Sequence, residues 1–260
     1  MKKINIRIYL KIILSGFAWL HRWFKVRSLS RKYRKQPDAV SKEQRYKFIL
    51  KICQKLIKLY NIDLEVVGLE NVPINGSVVL TPNHKSYLDA VALIVALEQT
   101  NPEFSEKPRI PTFVGKADLK KSKTIYNCMQ LLDSFFIDNK NVRNSLNTLK
   151  DFVDFVKVEK RFGLVFPEGT RIKKPEVGEF KGGAFKVVQN SYMDIIPVAI
   201  ENSLHAFSIK RKGRTTMRIT FLPPHKAKHN ITKDHLAIAS KVQQQISEIV
   251  GKENEQDKQS

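Results

Sequence analysis

From Asp63 onward the chain alternates short apolar runs, many of them continuous, with stretches of helical period, and few folds accommodate that alternation. The runs at 64–67, 78–80, 135–137, 164–166, 195–200 and 217–222 are strand-length and bounded by turn residues. Many are too evenly apolar for a strand with one wet face, so they read as strands covered on both faces. Helices are expected near 86–99, 143–160, 181–190 and 233–250. Strands alternating with helices predict an α/β fold, a single domain at 61–250 with a central mixed sheet flanked by helices. Its motif-bearing core is 79–203. There is no internal repeat, and the polar stretch 251–260 is expected to be disordered.

The first 60 residues have another character. The chain carries 46 Lys and Arg against 25 Asp and Glu, a formal net charge of +21. Residues 1–60 hold 17 of those bases against only Asp38 and Glu43, so they contribute +15 and the remaining chain +6. A basic end on a near-ordinary body predicts an arm that meets a polyanion, either nucleic acid or anionic lipid. The apolar run from Ile12 to Leu20 has no small-residue cleavage site after it and is followed by Arg22, Lys25 and Arg27, unlike a cleaved leader. As a helix it rises only about 14 Å, too little for a bilayer core of about 30 Å.

Between Arg45 and Tyr60, Ile49, Ile52, Cys53, Leu56, Ile57 and Tyr60 share one helical stripe, and Lys47, Lys51, Lys55 and Lys58 share another. Such a helix suits either a membrane interface or an ordinary core contact with solvated lysines. Trp19, Trp23 and Phe24, set beside Arg22 and Lys25, favour the interface, where tryptophan resides at headgroup level. The expectation is therefore two N-terminal membrane-associating helices within 1–60, joined by a polar linker at 28–41, on an anionic membrane surface.

Cys53 and Cys128 are too scattered for a disulfide framework or a zinc module and read as small buried hydrophobes. His225, His229 and His235 follow a double proline among lysines and read as solvated side chains, so no metal site is expected. No GxSxG elbow or P-loop occurs. A basic nucleic-acid-binding protein would explain the charge, but the bases sit on amphipathic helices and not around a base-reading motif.

Two segments carry chemistry. In Thr81-Pro82-Asn83-His84-Lys85-Ser86-Tyr87-Leu88-Asp89, His84 and Asp89 would lie about 140° apart on a continuous helix. They meet only if His84 lies in the loop before the helix and Asp89 in its first turn. Ser86 and Asp89 have capping-box spacing, which starts the helix between them. The carboxylate would then hold the imidazole in the tautomer a general base needs; the alternative is a simple helix cap beside a loop histidine. The second segment, Phe166-Pro167-Glu168-Gly169-Thr170-Arg171, also follows a buried strand. Open α/β sheets place ligands there, and Arg171 can fork onto a phosphate; the alternative is a surface turn with a charge pair.

Taken together, N-H-x4-D and F-P-E-G-T-R some eighty residues later resemble the glycerolipid acyltransferase family, most closely the 1-acylglycerol-3-phosphate acyltransferases. Phe135-Phe136-Ile137-Asp138 resembles the family's middle motif, Phe180-Lys181-Gly182-Gly183-Ala184 the stretch after the glutamate motif, and Ile196-Pro197-Val198 its last apolar motif. The resemblance covers roughly residues 62–203. It implies His84 as general base, Asp89 as its orienting partner, and Glu168, Gly169, Thr170 and Arg171 as substrate-binding, with Arg171 on the acceptor's phosphate. Lys116 resembles a further basic position. Two departures stand out: Asn139 occupies the place of the family's arginine, and Asp133 that of an expected glycine.

The implied reaction moves a fatty acyl group from an acyl-carrier-protein or coenzyme A thioester to the sn-2 hydroxyl of lysophosphatidate, giving phosphatidate, without metal or bound cofactor. No activated Ser or Cys pairs with His84 in the sequence, so a ternary complex is expected. Another lysolipid or glycerol 3-phosphate is the alternative acceptor. The expected location is the cytoplasmic face of a membrane, the inner membrane in a bacterium, with no specific nucleic-acid partner.

Overall fold

The computed structural model describes residues 8–98, 107–138, 141–211 and 213–256. Strands β1 (Ile62–Val67), β2 (Val78–Pro82), β3 (Pro111–Lys116), β4 (Phe135–Ile137), β5 (Phe162–Leu164), β6 (Asp194–Ile200) and β7 (Thr215–Phe221) form one sheet in the order β1-β7-β6-β2-β5-β3-β4. All pairings are parallel except β6 with β7, so the sheet is mixed. Helices α1 (Ile8–Lys35), α2 (Lys42–Leu59), α3 (Leu88–Leu97) and α4 (Lys123–Leu131) cover one face. Helices α5 (Val142–Val158), α6 (Gly182–Asn190) and α7 (His235–Gln256) cover the other.

This sandwiching explains the unbroken apolar runs. In β2, Val78 and Leu80 enter the core shared with α2 and α3, while Val79 enters the core shared with α5 and α7. Ile196, Val198 and Ile200 of β6 divide from Ile195 and Ala199 in the same way. Each such side chain taken fully from water contributes roughly 1.5–3 kcal/mol.

Several expectations are corrected. β3 and α4 were not foreseen: β3 opens on Pro111 and ends in Gly115 and Lys116, leaving too short an apolar run to register as a strand. β5 covers Phe162–Leu164 and not 164–166, although Val165 N–H still reaches Leu80 C=O at 3.1 Å. Residues 28–35 are helix, so the linker shrinks to the few residues around Pro37–Ala39. Ser41 restarts the chain with a reciprocal capping box to Gln44. The C-terminal stretch is helical through Gln256, and the residues beyond lie outside those described.

Most of the stripe on α2 packs into the core. Ile49, Cys53, Ile57 and Tyr60 are buried, packed mainly against α3, and Lys47, Lys51, Lys55 and Lys58 form its exposed face. α1 behaves differently: Leu10, Ile13, Leu14, Phe17, Leu20 and Phe24 lie exposed along it, Phe17 at 87%. Among the described residues no helix is long and apolar enough to cross a membrane.

Arginine pairs with acid at the foot of these helices. Asp133, after α4, adopts φ +52°, the left-handed region where a glycine was expected. Its carboxylate receives Arg45 of α2 at 2.6 Å, Tyr33 of α1 at 2.7 Å and the guanidinium of Arg161, just before β5. Arg45 also donates to Leu131 C=O at 2.9 Å and lies over the Tyr33 ring at 3.9 Å.

Because β1 is parallel to β7 and β7 antiparallel to β6, β1 begins where β2 and β6 end. Lys11 of α1 bonds Asn61 beside that start, and Trp23 Nε1 donates to Thr124 Oγ1 at 2.8 Å in the first turn of α4. The N-terminal part of α1 is thus tied to the end of the sheet where the two motif loops emerge.

Candidate active site

Asn83 fixes the loop after β2 by closing a ring with β6: its Oδ1 accepts from Ile200 N–H at 2.7 Å and its Nδ2 donates to Ile200 C=O at 3.0 Å. His84 follows, in the loop. Asp89 lies in the first turn of α3, and its Oδ2 is 2.8 Å from His84 Nδ1. The same oxygen accepts Lys85 N–H at 2.7 Å and Ser86 N–H at 2.8 Å. The expected cap is half formed, since Ser86 Oγ accepts from Leu88 N–H, not from Asp89. Asp89 is fully buried, and its Oδ1 has no hydrogen-bond partner among the described residues.

A carboxylate so placed makes Nδ1 the donor and leaves His84 Nε2 with its lone pair, the tautomer of a base. The imidazole stacks on Phe166, centroids 4.0 Å apart and planes at 23°. Phe166 belongs to the second motif, so the two loops meet at the ring.

Four further hydrogen bonds lace those loops together. His84 N–H donates to Glu168 Oε2 at 3.3 Å, and His84 C=O accepts from Ile172 N–H at 2.8 Å. The buried Lys85 sends its ammonium to the carbonyls of Lys174 and Glu176, both at 2.7 Å. Sequence reasoning assigned no role to Asn83 or Lys85, whose partners lie 89 to 117 residues away. Gly169 turns the second loop at φ +66°, and a Cβ there would sit 3.2 Å from Lys181 Nζ. Glycine answers both demands.

Glu168 points inward. Its other oxygen accepts Gly178 N–H at 3.1 Å, making the side chain a clamp between backbone segments. It is 3% exposed, and burial pushes its carboxyl up to about 7, against the pull of the Gly178 N–H, Lys85 and the His84 N–H. The unfolded chain holds that proton only to the ordinary value of 4.5. Between the two values the native state binds more protons, so this group's contribution to stability falls as pH rises through the window. Glu168→Gln removes the titration. Between about pH 5 and about pH 7.5 the wild-type melting temperature is expected to drop relative to that of the variant; parallel melting curves would remove Glu168 from the pH response.

Thr170 is exposed and Arg171 half-buried. The Arg171 guanidinium lies 3.6 Å from the centre of the Tyr87 ring, and no acidic partner holds it among the described residues. Lys116 sits at the carboxyl end of β3, at the same end of the sheet as His84 but across β5. No hydrogen bond or ion pair joins it to His84, Glu168 or Arg171 among the described residues. Asn139, at the end of the middle motif, lies outside the described residues. Arg143 is exposed in the first turn of α5.

No cluster of three or more metal-ligating side chains occurs among the described residues. His225, expected to be solvated, is half-buried. Its Nε2 contacts Gln245 Oε1 at 2.6 Å, and burial lowers its pKa. Cys53 is buried and Cys128 partly so, neither in a disulfide, and burial raises both thiols, Cys128 to about 11.

Comparison with known proteins bears on the family and the fold. The probable 1-acyl-sn-glycerol-3-phosphate acyltransferase of Mycoplasma pneumoniae is 31% identical over 185 residues, covering 70% of this chain and 66% of the relative. A protein of the same description from Mycoplasma genitalium is 34% identical over 67% of this chain and 62% of its own length. The chain therefore spans somewhat under two thirds of the curated relatives it matches. The crystal structure of the 1-acyl-sn-glycerophosphate acyltransferase PlsC from Thermotoga maritima superposes with a TM-score of 0.70 over 96% of both chains, at 18% identity, which shows a shared fold. The family model described as Acyltransferase matches residues 63–201, more than half the chain and both motif loops, and on that match the chain belongs to the acyltransferase family.

Proposed function

We propose that the protein transfers a fatty acyl group from a thioester to the sn-2 hydroxyl of 1-acylglycerol-3-phosphate, giving phosphatidate. The observation that carries this reading is the His84–Asp89 pair, at 2.8 Å, on a loop that meets a second loop bearing Arg171, an arginine with no acidic partner among the described residues. The names of the relatives support the acceptor.

His84 Nε2 takes the hydroxyl proton as the oxygen attacks the thioester carbonyl, and Asp89 stabilises the imidazolium that forms. The tetrahedral intermediate collapses by breaking the C–S bond, and the departing sulfur recovers the proton from Nε2. No acyl-enzyme forms. Ser86 Oγ is turned to Leu88 N–H, and both thiols have raised pKa values. The thioester is already activated, so this chemistry calls for no metal or cofactor, and either acyl-carrier protein or coenzyme A can bear it. Arg171 holds the acceptor's phosphate, with Thr170 beside it; Glu168 and Gly169 shape the loop that presents them, and Lys116 adds positive potential across the sheet end.

The enzyme works as the domain at 61–250 on a membrane surface, at its cytoplasmic face. The exposed apolar stripe of α1 supports this, lying at the sheet end that bears His84. Beside it, α1 and α2 form a groove of about 380 Å³ with Ala18, Phe48 and Ile52 as apolar wall and His21, Arg22, Lys25, Lys51 and Lys55 as basic lining. Apolar surface beside clustered bases suits anionic headgroups above acyl chains.

The test is purified protein in detergent with lysophosphatidate, glycerol 3-phosphate, lysophosphatidylglycerol and monoacylglycerol, each with both donor types and products read by mass. Phosphatidate is the expected product. Equal acylation of monoacylglycerol would defeat the reading. Arg171→Lys is expected to raise the KM for lysophosphatidate roughly tenfold or more, because a point charge loses the forked contact. An equal change with monoacylglycerol would move Arg171 out of the phosphate site.

A further inference from the structure

We infer that Tyr87 is a positioning residue for Arg171, presenting the guanidinium to a phosphate by its ring face. The inference rests on the reading of Arg171 as the acceptor's phosphate contact.

Four arginines are held by acids: Arg45 and Arg161 by Asp133, Arg214 by Asp63, Arg218 by Glu65; on α1, Arg22 and Arg27 lie over Trp19 and Trp23 at the longer distances of 4.7 and 5.7 Å. Arg171 is held by a ring. A carboxylate partner would occupy the guanidinium fork that a phosphate needs and cancel its charge. An aromatic face attracts the cation through its quadrupole and leaves the N–H edge unspent.

The ring is itself held in place. Tyr87 caps α3 in helical conformation (φ −64°, ψ −23°), between Ser86 and Leu88, both buried. Phe207 meets it edge-on at 5.8 Å, and Phe207 in turn stacks on Tyr60 at 4.9 Å and 22°. Tyr60 closes the C-terminus of α2. The ladder Arg171–Tyr87–Phe207–Tyr60 runs from the second motif loop to the helix layer. Tyr87 remains 43% exposed and Phe207 44%, so core burial does not account for two large rings kept here. Tyr87 also lies between His84 and Asp89 in the chain. One short loop thereby sets the base and, through a ring, the phosphate clamp.

Tyr87→Leu is expected to raise the KM for lysophosphatidate about 3- to 30-fold, the range of a cation–π contact, with kcat within about twofold and the donor KM unchanged. Tyr87→Phe keeps the ring face and should retain the wild-type KM. Phe207→Leu, which removes only the prop, should give a smaller rise. In an Arg171→Ala background Tyr87→Leu should add nothing.

A Tyr87→Leu enzyme with unchanged KM overturns the inference, as does a fall in kcat alone, or Tyr87→Phe behaving like Tyr87→Leu. If Arg171→Ala leaves the preference for lysophosphatidate over monoacylglycerol intact, the phosphate reading of Arg171 fails instead. If that preference collapses while Tyr87→Leu is silent, only the role of Tyr87 is wrong. Should Tyr87→Leu not fold, Phe207→Leu and its KM carry the same decision.

Discussion

His84→Ala is expected to abolish acyl transfer, lowering kcat by about 10²–10⁴ or more, the usual cost of a lost general base, while the protein stays folded. The ring's hydrogen bond is to Asp89 and its stacking partner is Phe166, whereas the bonds by which His84 helps to lace the two loops run through its backbone N–H and C=O. Alanine keeps both. Asp89→Asn should cost activity comparably or somewhat less. The amide either turns its oxygen to the Lys85 and Ser86 N–H groups, with no charge to hold an imidazolium, or presents its NH₂ to His84 and selects the wrong tautomer. Steady-state rates with lysophosphatidate, alongside melting curves, read both effects. Near-normal turnover in a folded His84→Ala protein would dismiss the mechanism.

How visible such features are in a sequence depends on how far apart their partners lie. His84 and Asp89 are five residues apart, and only one local geometry, loop then helix, brings them together, so the pair could be named as a candidate from the sequence, and the family resemblance chose it over a plain helix cap. β2 and β6 were legible because burial on both faces leaves unbroken apolar runs, and β7 because Met217, Ile219 and Phe221 alternate with polar residues along one buried face. β3 was not, because Pro111, Gly115 and Lys116 occupy half of a six-residue strand whose place is decided by β4 and β5. The two basic helices show the limit most clearly. On α2 the lysine and apolar stripes look the same whether the apolar side meets lipid or α3, and only the tertiary fold assigns it to α3. On α1 the polar residues after Ser28 suggested a linker, yet exposed polar side chains cost a helix only tenths of a kcal/mol each, and packing against α4 carries it through to Lys35. Tyr87 stood inside a recognised motif without a role, since the cation above it comes from 84 positions further on.

Asp133→Ala should be the most destabilising single change near the N-terminal helices, lowering stability by about 3–5 kcal/mol, the usual cost of leaving buried charge uncompensated. Arg45 is 5% exposed and Arg161 2%, and Asp133 is the carboxylate that bonds both guanidinium groups. Burial already lowers the pKa of Arg161, and each arginine has a buried Nε without a partner. Removing the acid leaves two like charges facing each other in a dry site. Asp133→Gly separates backbone from charge: glycine relieves the positive φ, a gain of roughly 1 kcal/mol, but does nothing for the arginines. It should therefore remain strongly destabilised. Asp133→Asn, which tolerates the same backbone and keeps hydrogen-bond acceptance, should fall between. For a chain of this size the alanine loss corresponds to roughly 6–20 °C in melting temperature. High salt should not reproduce it in the wild type, because ions screen buried pairs poorly. The decisive comparison adds Arg45→Met and Arg161→Leu to Asp133→Gly. With no charge left to compensate, much of the lost stability should return. If Asp133→Gly alone melts like the wild type, the glycine seen elsewhere in the family is the better residue here, and the two arginines do not depend on Asp133.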